Sequence, residues 1–294
     1  MSSPAQRTAS ATLGELFTLA DPHTDSRAVV APERGALVTS WAIAGRQLLY
    51  MDDSTLHDTT KNVRGGIPVL FPSPGKLLSD TFAYKGRVGT DLKQHGFARL
   101  MPWQVQQSSA QALTLGLEAD AATLTRFPWR FRAQLDVRVI ACSLELRFHV
   151  ENSDTEPLPF ALGYHPYFYV SEQSKSQLRI ASHASQAFDN VRKQIVPFTG
   201  FDLTRPELDL HLLDHGSQAC AMQWPDGSAL RIQADPEFLV WVVWTLEGRE
   251  FVCLEPWTAR GNALSTGHDV LTVEPGETRS LSITLTFTPA DVTR

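Results

Sequence analysis

The sequence contains little cysteine: Cys142, Cys220 and Cys253 lie far apart and form no C-x-x-C pair. An odd number of dispersed cysteines argues against a disulfide framework, and the lack of closely spaced pairs argues against a structural zinc site. The first ten residues also lack the apolar core of a signal peptide. We therefore expect a soluble protein of a reducing compartment and assign it to the cytoplasm.

Long hydrophobic runs and clusters of positive charge are missing too. No stretch approaches the roughly 18 apolar residues of a membrane span, and the 26 Lys and Arg residues are scattered along a chain of net charge −6. Neither a membrane nor a nucleic acid is therefore an expected partner. A glycine-rich dinucleotide fingerprint, a P-loop and a G-x-S-x-G elbow are absent, so no nucleotide or redox cofactor is expected. A small-molecule partner fits best.

Helical periodicity is scarce, and only residues 119–125 suggest a short helix. Two-residue alternation is clear instead. It predicts adjacent strands or a hairpin at 131–139 and 144–150 and a further strand at 280–288, while the continuous apolar run 238–246 is typical of a strand covered on both faces. The fold class is therefore all-β, either a large antiparallel sandwich or a barrel. No linker rich in Gly, Pro or Ser divides the chain, so residues 1–294 are predicted to form one domain.

Residues 64–86, "RGGIPVLFPSPGKLLSDTFAYKG", combine many glycines and prolines with apolar side chains. Proline excludes a regular central strand, and the segment is too apolar for a solvated loop, so it is a candidate pocket wall. Gly65 and Gly66 permit a positive φ or the close approach of a ligand, and Arg64 before them carries a planar set of donors. An ordinary turn with a surface arginine remains the alternative.

Residues 89–103, "GTDLKQHGFARLMPW", place Gln94, His95 and Arg99 within six residues, next to aromatic side chains. Polar donors interleaved with aromatic rings suit a sugar, because its hydroxyls need hydrogen bonds and its C–H faces need an apolar surface.

His165 lies in the apolar run "FALGYHPYFYV" and is followed directly by Pro166. Proline favours an extended backbone at His165. Tyr164, Tyr167 and Phe168 are expected to form a desolvating wall that keeps the imidazole pKa near neutrality, as a general acid or base requires. A core histidine satisfied by one backbone carbonyl is the alternative.

Glu255 ends the apolar strand in "REFVCLEPWTARGNAL" and is followed by Pro256 and Trp257. A carboxylate is costly to bury without a partner, so an inward Glu255 would have a raised pKa and would be a stronger base. The alternative is a glutamate at the strand end that points into water.

His211 and His215 in "HLLDH" have the i, i+4 spacing of a helical metal site. We interpret the segment as extended, and four residues of strand span about 13 Å, too far for one ion. We therefore expect no metal.

The motifs "RGGIPVLFPSPGK", "QHGFARLMPW", "GYHPYF" and "CLEPWT" occur in this order within residues 15–288. Together they resemble the landmarks of the aldose 1-epimerase (mutarotase) family, including its hexose-6-phosphate mutarotase branch. The resemblance implies a large antiparallel β-sandwich of galactose-mutarotase type.

Carried over residue by residue, the resemblance implies that Glu255 is the general base and His165 the general acid of sugar ring opening. Arg64 and His95 would hold sugar hydroxyls, and Asp209 in "ELDLHLL" resembles the substrate-binding aspartate of the family. The surroundings of "GYHPYF" and "EPWT" depart from the phosphate-sugar branch, so a free hexose is placed ahead of a hexose 6-phosphate. A non-catalytic sugar-binding protein or sensor, and a glycosidase, are the competing hypotheses.

Overall fold

The computed structural model describes residues 4–290, and most of their regular structure is β-strand. The strands pair antiparallel, as the alternation in the sequence predicts. The first sheet has five strands, in the spatial order Gln6–Ser10, Gly14–Asp21, Ser26–Ala31, Leu37–Ile43 and Arg46–Gln47.

The second sheet, here the back sheet, confirms the predicted hairpin at 131–150. Leu135 lies opposite Phe148, and inward apolar residues alternate with polar ones along both strands. Its eight strands are, in spatial order, Arg179–Ala181, Ala219–Gln223, Ala229–Ala234, Thr278–Thr288, Ser143–Asn152, Phe131–Ile140, Ala112–Glu118 and Gln104–Ser108.

The third sheet, here the pocket sheet, contains the continuous apolar run at 238–246 and the apolar strand of Glu255. Val240–Leu246 is buried on both faces over most of its length, as predicted. The strands follow the spatial order Gln194–Pro197, Gln186–Asp189, Glu207–Leu212, Val240–Leu246, Phe251–Trp257, Gly163–Tyr164 and Val69–Leu70, and Tyr167–Tyr169 also pairs with Phe251–Trp257.

The remaining elements are short. Two small sheets pair Leu158–Phe160 with Leu271–Val273 and Phe82–Tyr84 with Arg87–Gly89. The α-helices are Asp53–Leu56, Ala121–Arg126 and Ala263–Thr266, and the 3-10 helices are Pro32–Arg34, Leu78–Asp80, Ala98–Leu100 and Glu172–Gln177. The helix at 121–126 confirms the one predicted near 119–125. Within residues 4–290, none of the helices has the length and apolar composition that a membrane crossing needs.

One continuous hydrophobic core joins the three large sheets. It includes Leu19 of the first sheet, Leu135 and Phe148 of the back sheet, and Leu210 and Val243 of the pocket sheet, all of them nearly inaccessible to solvent. Apolar burial of this extent supplies the main stabilisation of the fold. The sheets therefore form an antiparallel sandwich whose pocket sheet has a second face, turned away from the core.

Candidate active site

A cavity of about 580 Å³ lies on this outer face of the pocket sheet. All seven candidate site residues line it: Arg64, Gln94, His95, Arg99, His165, Asp209 and Glu255. Segments distant in the sequence thus meet at one place.

The two-residue period of three adjacent strands positions much of the cavity floor. Glu255 and Trp257 line the cavity from one strand and Asp209 and His211 from another, with Trp244 on the strand between them. Their chain neighbours, including residues 208, 210, 243 and 254, belong to the hydrophobic core. Strand pairing also aligns residues across the sheet, and it places Asp209 opposite Trp244. The regular pleat of the sheet therefore brings these polar groups into one patch.

Glu255 points inward and is 1% exposed. Its Oε2 atom accepts a hydrogen bond from Trp257 Nε1 at 3.1 Å, and its Oε1 atom lies 3.4 Å from His165 Nδ1. Burial, with a further contribution from the negative charge of Asp209, raises the pKa of the Glu255 carboxyl well above its ordinary value of 4.5. This is the direction that the sequence predicts for an inward glutamate.

His165 lies beside Glu255 and is also buried. Its ring stacks on Tyr167 with centroids 4.6 Å apart, and its backbone N–H donates to Pro68 O at 3.1 Å. The expected wall of three aromatic residues is only partly correct, since Tyr164 and Phe168 belong to the core and Tyr167 alone of the three lines the cavity.

The expectation of a near-neutral imidazole pKa is wrong. Burial lowers the pKa of His165 well below its ordinary value of 6.5, and the positive charge of Arg99 adds to this effect. The rings of Tyr167, Trp244 and His95 surround the imidazole and remove more water than the local sequence indicates.

His95 is fixed by a strained backbone and by one strong hydrogen bond. Its φ is +72°, a left-handed conformation that is costly for a residue with a Cβ, and its Nδ1 lies 2.6 Å from Pro74 O. Because a carbonyl only accepts, Nδ1 carries the proton and Nε2 is an acceptor, which Gln94 Nε2 approaches at 3.4 Å. Burial lowers the His95 pKa to about 3, which keeps the ring neutral. His95 can therefore accept a hydrogen bond from a ligand hydroxyl.

The segment that follows Arg64 requires both of its glycines. Gly65 has φ +146° and Gly66 φ +65°, and a Cβ on Gly66 would lie 2.3 Å from Val38 O. The Arg64 guanidinium lies over the Trp244 ring, 5.7 Å from its centroid. Arg64 is thus a cation at the cavity wall that makes a cation–π contact with Trp244.

Arg99, Gln94 and Asp209 complete the predicted set. Arg99 Nη2 donates to Gln94 O at 3.3 Å, while Arg99 Nε is buried without a hydrogen-bond partner. Asp209 Oδ2 accepts from Asn190 Nδ2 at 2.7 Å, and Asp209 Oδ1 is buried and lies 3.2 Å from His211 Nε2 without hydrogen-bond geometry. Buried polar atoms without partners are rare in folded proteins, so both are candidates for contacts with a bound ligand.

Several cavity residues were not predicted, notably Lys76, His211, Trp244 and Trp257. A signal existed for His211 and Trp257, because each follows a predicted site residue by two positions on a strand and so shares its face. His211 lies on a strand, as expected from the interpretation of "HLLDH" as extended backbone. His215 lies beyond the strand end and contacts Leu239 O at 2.9 Å, away from the cavity.

His165, Cys253 and Glu255 bring their ligand atoms within 4.8 Å of one another. A metal would need the thiolate form of Cys253, whereas burial raises the pKa of this thiol well above its ordinary value of 9.0. Metal independence stays a prediction, and we expect activity to survive EDTA. The check is an assay of chelator-treated and untreated protein side by side, and activity lost to EDTA and restored by a divalent ion would contradict it.

Three comparisons with known proteins agree on the family. The aldose 1-epimerase family profile matches residues 15–286. The Slr1438 protein of Synechocystis sp. PCC 6803 is 33% identical, with a TM-score of 0.89 and 97% of each chain covered. Protein LacX of Lactococcus lactis subsp. lactis is 24% identical over 78% of this chain and 85% of its own length. A protein of Escherichia coli K12 named "Putative glucose-6-phosphate 1-epimerase" is 30% identical over 55% of this chain and 52% of its own length.

Proposed function

Because the chain belongs to the aldose 1-epimerase family, we propose that it interconverts the α and β anomers of a hexose. The observation that carries this proposal is the pairing of two buried titratable groups, His165 Nδ1 and Glu255 Oε1, 3.4 Å apart at the floor of the cavity. A protein that only binds sugar has no need of such a pair, since burying it costs free energy. A catalyst of proton transfer does need it.

The reaction moves one proton onto the sugar and one proton off it. Glu255 takes the proton of the C1 hydroxyl, His165 protonates the ring oxygen, and the bond between C1 and the ring oxygen breaks to give the open-chain aldehyde. Rotation about C1–C2 presents the other face of the carbonyl. The same two residues then work in reverse, and ring closure gives the other anomer. No metal, nucleotide or other co-reactant enters this balance.

The pair can perform this chemistry because it holds a single proton. In the empty cavity the raised pKa of Glu255 and the lowered pKa of His165 place that proton on the carboxyl. Glu255 Oε1 lies 3.4 Å from His165 Nδ1, which is buried and makes no hydrogen bond within the described residues. We propose that the two side chains close this gap when a sugar hydroxyl approaches the carboxyl, so that the proton passes to the imidazole. We propose that the positive charges of Arg64 and Arg99 and the donor Trp257 favour the ionised form of Glu255 once solvent has been excluded.

This arrangement predicts an unusual pH profile. The pair gains a second proton only when the pH falls below the lowered pKa of His165, and it loses its proton only when the pH exceeds the raised pKa of Glu255. The value of kcat should therefore stay flat as the pH passes through 6.5, the ordinary imidazole value. A profile of kcat against pH for the wild-type protein checks this. A single inflection at 6.5 would contradict the proposed pair.

The other cavity residues are proposed to hold the sugar ring in position beside His165 and Glu255. Arg64, Gln94 and Arg99 offer donors, His95 Nε2 and Asp209 offer acceptors, and the indole rings at 244 and 257 offer apolar faces. Such a mixture fits a pyranose, because each hydroxyl both donates and accepts and the C–H faces are apolar.

The decisive test is incubation of the protein with freshly dissolved α-glucose or α-galactose while optical rotation is followed, with a methyl glycoside in parallel for the release of reducing ends. Accelerated mutarotation without glycoside cleavage supports an epimerase. Cleavage would indicate a glycosidase, an outcome worth testing because the cavity contains Asp209 as well as Glu255. Binding without either reaction would indicate a sugar sensor.

A hexose 6-phosphate is the second candidate substrate. The observation that favours it is the number of cationic side chains at the cavity, namely Arg64, Lys76, Lys93 and Arg99. Lys93 is already paired with Asp80 at 2.8 Å and Asp91 at 2.9 Å. The mechanism is the same for both substrates, because the phosphoryl group takes no part in ring opening.

A further inference from the structure

The cavity that contains Glu255 and His165 is called the catalytic cavity below. A second cavity of about 370 Å³, here called the annex, adjoins it. The two share five lining residues, so they form one continuous space: Lys76, Gln94, Asn190, His211 and Trp257. The annex adds Gly75, Phe188, Lys193, Arg260 and Gly261, none of which lines the catalytic cavity.

The annex differs from the catalytic cavity in its charge. Lys76, Lys193 and Arg260 line it, and no carboxylate does. Within residues 4–290 none of these three forms an ion pair, and Lys193 Nζ is engaged only with Asn190 Oδ1 at 2.7 Å. Arg64 and Arg99 of the catalytic cavity also form no ion pair within the described residues, but the carboxylates of Asp80, Glu207 and Asp209 line that cavity with them. The annex is therefore the part of the joined space that is lined by cations and by no carboxylate.

Three turns far apart in the sequence hold these cations in place. Lys193 lies in the turn between the strands Gln186–Asp189 and Gln194–Pro197. The turns of Lys76 and Arg260 are joined, because Asn262 N donates to Lys76 O at 2.8 Å and a Cβ on Gly75 would lie 2.4 Å from the Cα of Gly261. The backbone under the cations is thus fixed, although the side chains themselves are exposed.

We propose that the annex binds the phosphoryl group of a hexose 6-phosphate whose anomeric carbon lies at Glu255 and His165. This inference rests on the proposed function and specifies where the substrate carries its negative charge. A phosphoryl group brings about two negative charges and three acceptor oxygens, which match several convergent donors, including one guanidinium. Trp257 connects the two ends of the site, because its indole donates to Glu255 Oε2 and also lines the annex.

The charge of the annex selects this ligand over a second, neutral sugar ring. Phe188 and Trp257 give the annex apolar walls that a neutral ring could also use. A neutral ring would leave three cations without a counterion, however, whereas a phosphoryl group neutralises them and needs only the rim of the aromatic walls. A C6 carboxylate, with one charge, should bind there more weakly than a phosphoryl group.

The test compares kcat/KM for α-glucose 6-phosphate, α-glucose, glucuronate and maltose in the wild-type protein and in the double variant Lys193→Met/Arg260→Gln. The wild type should prefer the phosphorylated sugar by at least about tenfold, and the preference should weaken as salt is added. The double variant should lose this preference and keep its kcat/KM for α-glucose. Inorganic phosphate should inhibit the wild type competitively and the double variant at least about tenfold more weakly.

Arg192→Gln is the matched control, since Arg192 precedes Lys193 in the same turn but is paired with Asp189 at 3.7 Å and lines neither cavity. It should leave both substrates unaffected. Thermal melts establish that every variant is folded. The substituted side chains are all exposed, so melting temperatures close to wild type are expected.

The outcomes separate this inference from the proposed function. Turnover of α-glucose without a preference for its 6-phosphate, or a preference for maltose, overturns the annex proposal and leaves the epimerase standing. A phosphate preference that disappears in Arg99→Ala but persists in the double variant places the phosphoryl group in the catalytic cavity and also overturns the annex proposal. Failure to anomerise any of these sugars overturns the proposed function itself.

Discussion

Replacing Glu255 by glutamine is expected to lower kcat by roughly 10²–10⁴-fold, because the variant lacks the base that accepts the C1 hydroxyl proton. The amide has the shape of the carboxyl, and its oxygen can still accept the hydrogen bond from Trp257 Nε1. Since burial already raises the pKa of Glu255, exchanging it for a neutral group should cost little folding stability. The measurement is kcat by polarimetry together with a thermal melt.

Glu250→Gln is a suitable control for this change. Glu250 precedes the same strand and is exposed, with its carboxyl 3.5 Å from Tyr169 Oη and outside the cavity. This variant should keep the wild-type rate. A folded Glu255→Gln protein with nearly wild-type mutarotation would remove Glu255 from the mechanism.

The second large effect is expected from His165→Asn, which removes the proton donor to the ring oxygen. Its kcat should fall by a similar factor, roughly 10²–10⁴-fold. In the double variant with Glu255→Gln, the loss should be far smaller than the product of the two single losses, because two groups that share one proton act as a unit. The kcat values of the four proteins complete the cycle.

His183→Asn provides the control for the histidine substitution, since His183 is exposed and lies outside the cavity. It should leave kcat unchanged. If the losses in the double variant multiply, His165 and Glu255 act independently and the shared-proton mechanism is wrong.

Strand periodicity made much of the fold predictable. The alternation at 131–150 correctly predicts the hairpin of the back sheet. The continuous apolar run at 238–246 correctly predicts a strand that is buried on both faces over most of its length. Alternation does not reveal which strands are neighbours, however. The pairing of Glu207–Leu212 with Val240–Leu246, on which the position of Asp209 depends, follows from long-range packing.

Most of the candidate site could be predicted from the sequence because its residues lie in short motifs of unusual composition, whereas Asp209 was predicted from the family resemblance alone. The structure brings all seven into one cavity, but the extent of their burial could not be predicted from the motifs. The pKa of His165 illustrates this limit, since it is lowered by burial and by His95 and Arg99, which reach the imidazole from another segment of the chain.

The annex was not predictable by the same reasoning. Lys76, Lys193 and Arg260 occupy three separate turns, where neither strand periodicity nor motif spacing applies. The short helices Asp53–Leu56 and Ala263–Thr266 were missed for a related reason, because one turn of helix is too short to establish a 3.6-residue period.

Anomerase activity that depends on Glu255 is tested most directly by NMR exchange spectroscopy of the α and β anomers at equilibrium, with glucose and glucose 6-phosphate examined separately. At equilibrium there is no net reaction, so cross-peaks between the two anomeric signals report interconversion alone. The proposed mechanism requires exchange that increases in proportion to wild-type protein for at least one of the two sugars, and that returns to the uncatalysed rate with Glu255→Gln. Exchange unchanged by the wild-type protein for both sugars, or equally fast with the folded Glu255→Gln variant, would contradict it.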